Sequence, residues 1–164
     1  MVSKRRAGYT LVELMLVVTI VGIISATGAG IMLQAIRYFR FQKARIEIQR
    51  DARTALDLIN RSLREGQAST VVVDQATNQP PYSRIAFTTV TGRSLTFYQN
   101  NQDLMMIQGT ATTKICGNLK YLGFTYPQSQ NSGIVSVSLT LEEATYETRT
   151  KALQLSVQTV RIMN

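Results

Sequence analysis

Residues 8–36 read GYTLVELMLVVTIVGIISATGAGIMLQAI, and Glu13 is the only charged side chain among them. From Leu14 to Ile36 the run is uncharged; at about 1.5 Å per helical residue it reaches roughly 35 Å, enough to cross a bilayer core. Residues 9–36 are therefore expected to form a transmembrane helix. Lys4, Arg5 and Arg6 stand just ahead of it. A positive N-terminal flank stays cytoplasmic, so the expected topology is N-terminus in, C-terminal region exported. A removable secretory signal has a shorter apolar core, about 7 to 15 residues, although Ser25, Ala26, Thr27 and Gly28 offer small residues to a signal peptidase.

Glu13 is out of place at the head of such a run, where a lone carboxylate costs on the order of 3 kcal/mol unless it is paired. The basic cluster ahead is one source of a cation. Gly8 suggests another: a cut after it would create an α-amino group on Tyr9, positively charged and at the membrane face. One helical turn separates Tyr9 from Glu13, so a neighbouring copy staggered along its axis is as good a partner as the same chain. Deeper in the span, Gly22, Ala26 and Gly30 recur every four residues on one helix face, which lets another backbone come close.

The basic leader, the Gly8 junction, Tyr9-Thr10-Leu11-Val12-Glu13-Leu14 and the long apolar run together resemble the prepilin cleavage and methylation motif of type IV pilins and type II secretion pseudopilins. The resemblance implies a leader at residues 1–8, removed by a prepilin peptidase that also methylates the Tyr9 amine. It implies that Glu13 guides docking into a filament. The implied partners are other pilin or pseudopilin subunits, the peptidase, an inner-membrane assembly platform and membrane lipid, with no cofactor. The implied location is a bacterial inner membrane, with the C-terminal domain periplasmic, and then the filament. Tyr9 stands where Phe is more usual. Two other habits of major pilins are missing: a helix-loosening proline in the span, and a C-terminal cysteine pair, since Cys116 is the single cysteine. The absence of that proline predicts a continuous helix.

Beyond the span, residues 37–66 keep a helical period. Ile48, Ala52, Ala55, Leu56, Ile59 and Leu63 recur near every 3.6 residues, and Gly66 supplies a stop. The expected helix runs from Tyr9 to Glu65, about 85 Å in length, with a first half that projects and a second half whose apolar stripe packs on the C-terminal domain. Arg37, Arg40, Lys43 and Arg45 crowd the exit from the span, as side chains that snorkel or meet phosphate do. Farther on, cations alternate with acids as on a solvated face, with Asp57 and Arg61 at the four-residue spacing that favours an ion pair.

After Gly66 the period becomes 2, and residues 67–164 read as a β-rich exported domain. Val71 to Val73 is a short apolar run, and Asn78-Gln79-Pro80-Pro81 a loop. Ile85 and Phe87, a turn at Thr91-Gly92, and Leu95 and Phe97 make a hairpin; Leu104 to Ile107 come after a turn at Asn100 to Asp103. Leu119, Leu122, Phe124 and Tyr126 mark another strand. Val135, Val137, Leu139 and Leu141 alternate with small polar residues, and Leu153, Leu155 and Val157 mark the last strand. The fold class is therefore α+β: a long N-terminal helix packed on an antiparallel β-sheet, because a one-sided helix and a one-faced sheet each need the other.

Catalytic parts are scarce. With no histidine in the chain, neither a Cys-His nucleophile nor a histidine metal site can be built, and the expectation is a protein that is not an enzyme. Glu142, Glu143 and Glu147, and Asp74 beside a loop, offer oxygen but no ordered calcium-ligand spacing. Tyr82, Tyr98, Tyr121, Tyr126 and Tyr146 could stack on bases or sugars where they line up with basic residues, which keeps nucleic acid among the partners considered. Cys116 reads as a small buried hydrophobe. The leading expectation is a filament subunit. The helix pattern from Gln49 to Arg64 resembles PilW-type minor pilins and GspJ-type minor pseudopilins, and the chain end at Val160 to Asn164 the former. The alternatives are a minor pseudopilin of a type II secretion system, a filament-displayed adhesin or DNA-uptake module, and a membrane-anchored protein that never assembles.

Overall fold

The computed structural model describes residues 8–128, 133–144 and 151–162. One helix, α1, runs unbroken over Leu11–Arg64, within two residues of the expected bounds at its start and one at its end. The chain divides into two compact units, Met1–Arg40 and Phe41–Asn164, and α1 contributes to both.

In the first unit the described part of α1 buries nothing. Two of the three hydroxyls inside the apolar run are satisfied within the helix: Thr19 Oγ1 donates to the Leu16 carbonyl at 2.8 Å, and Thr27 Oγ1 to that of Ile23 at 3.1 Å. Those two bonds lower the cost of placing the run in lipid.

In the second unit the helix has one buried stripe, made of Ala44, Ile48, Ala52, Ala55, Leu56, Ile59 and Leu63. It packs on the apolar faces of two antiparallel sheets, where a single sheet was expected. The first is a five-stranded meander of β1 (Val72–Asp74), β2 (Arg84–Thr88), β3 (Ser94–Asn100), β4 (Asp103–Gln108) and β5 (Ala111–Cys116). The second has β6 (Leu119–Thr125), β7 (Ile134–Ala144) and β8 (Lys151–Arg161) in chain order. Ile85, Phe87, Phe97 and Leu104 from the first sheet join Leu122, Phe124 and Val135 to Leu141 from the second in one core. Phe87 and Phe97 stack there at 6.3 Å between centroids. Gln99 staples the sheets together: its buried amide donates to the Asn101 carbonyl at 2.9 Å and accepts the Leu122 N–H at 3.0 Å.

Gly66 follows the helix at a crowded point. A β-carbon there would lie 3.0 Å from the Leu63 carbonyl oxygen and 3.0 Å from Phe87 Cδ2, so a side chain would have to displace its neighbours as the chain turns toward the β2 strand.

Two strands and one ion pair differ from what the sequence pattern conveys. Strand β5 has no apolar alternation; its residues 111–114 are exposed at the sheet edge, and pairing with β4, not burial, makes it a strand. Val160 in β8 and Ile162 just past its end point into the core, and strict alternation then turns Leu153, Leu155 and Val157 outward, where they are 59%, 62% and 60% exposed. Asp57 and Arg61 do not pair; Arg50 pairs with the adjacent Asp51 at 3.2 Å.

Candidate functional site

Gly8, Tyr9 and Thr10 precede the helix outside regular secondary structure and are exposed, Tyr9 to 90%. Lys4, Arg5 and Arg6 lie outside the described residues. The helix begins with a reciprocal cap. The Thr10 N–H and hydroxyl donate to Glu13 Oε2 at 3.0 and 3.1 Å, and the Glu13 N–H donates back to Thr10 Oγ1 at 3.3 Å. This is the capping box, a threonine followed three residues later by glutamate, which satisfies donors that the first turn leaves open. The spacing was present in the sequence, but the question of a cation for Glu13 hid it. Glu13 thus has a local stabilising role as well as any role between subunits, and its Oε1 takes part in neither Thr10 bond.

Farther along, Gly22, Ala26 and Gly30 are exposed, and a β-carbon at either glycine would meet nothing within 4 Å. Nothing inside this chain requires glycine there, as expected where the close approach comes from another helix. By length and composition α1 can cross a membrane, and no part of its most apolar window is buried.

The remaining chemical groups are held in structural roles. Cys116 is buried and its thiol is pushed up to about 11, first by burial and then by Asp51 and Asp103, so it is not a thiolate at neutral pH. Glu142 pairs with Lys120, and Glu147 lies outside the described residues. Burial, with Glu47 and Asp51 adding to it, raises the Glu143 carboxyl above its ordinary range. Asp74 is clasped by the Arg84 guanidinium, Nε to Oδ1 at 2.6 Å, which lowers the Asp74 carboxyl and raises the guanidinium. Among the described residues no three His, Cys, Asp or Glu side chains cluster as metal ligands do. Of the tyrosines, Tyr98 stands directly across the sheet from Arg84, Tyr126 donates its hydroxyl to the Val71 carbonyl at 3.3 Å, and Tyr146 lies outside the described residues.

The model of the prokaryotic N-terminal methylation motif matches residues 3–29. The chain carries a prepilin-type N-terminus. The match takes in Gly8, Tyr9, Glu13, Gly22 and Ala26, and stops one residue short of Gly30. It supports a type IV pilin-like or pseudopilin subunit, a structural part of a filament, associated with other such subunits and processed by a peptidase. The α+β architecture of a long N-terminal helix on antiparallel sheets is pilin-like as well. No curated protein matches the chain.

Proposed function

We propose that this chain is a minor pilin or pilin-like subunit of a type IV pilus-type filament, cleaved after Gly8, methylated at the Tyr9 amine and assembled through its N-terminal helix. One observation carries the reading. The motif-bearing half of α1 exposes every described side chain from Tyr9 to Arg40, whereas the half from Phe41 onward is seated in a core. An apolar helix of that length needs either lipid or other helices of its kind around it, and a subunit that passes from membrane to filament uses both in turn.

In this scheme the subunit waits in the inner membrane with its N-terminus cytoplasmic and its β domain periplasmic. Cleavage leaves Thr10 and Glu13 bonded as before and adds an amine one turn away. Glu13 Oε1 then meets the Tyr9 amine of an adjacent subunit, while Gly22, Ala26 and Gly30 let that subunit's helix come close. The assignment is tested by coexpression with a prepilin peptidase and comparison of Gly8→Leu with the unaltered chain. The variant is expected to keep its leader and to be absent from sheared filaments; cleavage and assembly undisturbed by it would contradict the proposal.

A further inference from the structure

The solvent-facing side of the five-stranded sheet carries a shaped hollow. Two rows of side chains cross strands β1 to β4 there: Asp74, Arg84, Tyr98 and Met105 in one, Val72, Ala86, Thr96 and Ile107 in the next. Alternation along each strand turns both rows away from the core that holds Ile85 and Phe97. Ala86 and Thr96 are short and sit between Val72 and Ile107, so the surface dips. The loop after β1 raises one wall with Ala76 and Thr77, giving a cavity of about 470 Å³. Small-ligand sites run from about 300 to 1,000 Å³.

The wall is fixed before any ligand arrives. The Ala76 N–H donates to the buried Ser83 hydroxyl at 3.1 Å, the Gln79 N–H donates to the Ala76 carbonyl at 3.0 Å, and the Gln75 amide reaches the Gln79 carbonyl at 2.5 Å. A preset wall lowers the ordering cost of binding.

Charge decides the ligand class. A site for phosphate or for a nucleic-acid backbone keeps its cation uncompensated, but Asp74 neutralises Arg84 in place through two hydrogen bonds. What remains in the lining is the compensated guanidinium of Arg84, with Tyr98, Thr96 and Asn100 beside it to give and take hydrogen bonds, over the apolar floor of Ala86 and Ile107. Adjacent hydroxyls that both give and take hydrogen bonds, set on a ring with an apolar C–H face, match this lining. We propose that the cavity binds a neutral carbohydrate unit, about one or two pyranose rings in size. Arg84, Thr96 and Asn100 take neighbouring hydroxyls, and Tyr98 and Ile107 take the ring face. The exported domain is then a sugar-binding surface whichever filament displays it, and this does not depend on how the N-terminal helix assembles.

The test uses the full chain in a zwitterionic detergent that carries no sugar, with lactose, maltose, chitobiose and mannobiose titrated and followed by ligand-observed NMR. At least one disaccharide is expected to bind with an affinity indifferent to added salt. Ala86→Leu fills the hollow and Tyr98→Ala removes its ring; each is expected to weaken binding about tenfold or more while the melting temperature stays unchanged. Should Ala86→Leu disturb folding, Thr96→Val keeps the shape and removes one hydroxyl, and weaker binding is again expected. Binding of none of the four sugars, or binding that survives all of these substitutions, overturns the proposal. So does a site that instead takes a single-stranded oligonucleotide and releases it as salt is raised.

Discussion

Thr10 and Glu13 hold each other at the head of the helix, the carboxylate accepting the Thr10 N–H at 3.0 Å and the Thr10 hydroxyl accepting the Glu13 N–H at 3.3 Å. The acid therefore has two separable properties, a cap and a charge. Glutamine can complete the same box, so Glu13→Gln keeps the cap and deletes the charge, whereas Glu13→Ala deletes both and weakens the helix start. If docking needs the charge, both variants reach the membrane at normal levels and both are depleted from sheared filaments. Normal incorporation of Glu13→Gln beside poor incorporation of Glu13→Ala would reduce Glu13 to a cap.

The small face of the span makes a second prediction. Because a side chain at Gly22 or Gly30 meets nothing in its own chain, Gly22→Leu and Gly30→Leu are expected to leave the fold and membrane level unchanged while lowering filament yield. Quantitative blotting of membrane and sheared fractions reads both. An equal loss from the two fractions would place the effect in the single subunit.

The third prediction concerns Gly66, where two atoms already stand 3.0 Å from the site of a β-carbon. Gly66→Ala is expected to destabilise the exported domain by about 1–3 kcal/mol, the range for overpacking a tight site. The domain to use begins at Phe41, because Ala44 is buried and Phe41 packs against the core. Urea unfolding of residues 41–164 should be cooperative, with a lower midpoint for the variant; an unchanged midpoint would mean that the helix end relaxes freely.

Two carboxyls give the same domain opposite pH dependences. Asp74, lowered by the Arg84 hydrogen bonds, favours the fold while ionised, and that contribution is lost as pH falls below the ordinary carboxylate range. Glu143, raised by burial and by Glu47 and Asp51, favours the fold while protonated, so its contribution is lost as pH rises from that range toward its folded value. Asp74→Asn should flatten the acid limb of stability against pH and Glu143→Gln the limb above it, as read by thermal melts. A single slope removed by both variants would contradict the assignment. Asp74 is more than a third exposed, so its limb is the shallower expectation after solvent screening.

Much of the fold was legible because its signals are long or repeated. The stripe from Ile48 to Leu63 and the alternation from Val135 to Leu141 each leave one arrangement that buries them. Strand β5 was not legible, since Thr112, Thr113 and Lys114 pair through backbone at an edge and carry no pattern. Leu153, Leu155 and Val157 marked a strand correctly but gave no sign of facing outward, because their face is set by Val160 and Ile162 farther along. At the N-terminus, Gly8 and Glu13 were conspicuous through motif and misplaced charge. The hollow over Ala86 and Thr96 was not, because its residues come from three strands and a loop, and only registry brings Tyr98 beside Arg84.

Cleavage after Gly8 and entry into a filament by the exposed helix leave one joint signature, the mass of the chain that the filament holds. Intact-mass analysis of the protein recovered from sheared filaments reads it. A chain that begins at Tyr9 and carries one methyl group on its amine is the expected species. A species beginning at Met1, a cut near Thr27, or absence from filaments while the membrane holds the cleaved form would contradict the proposed function.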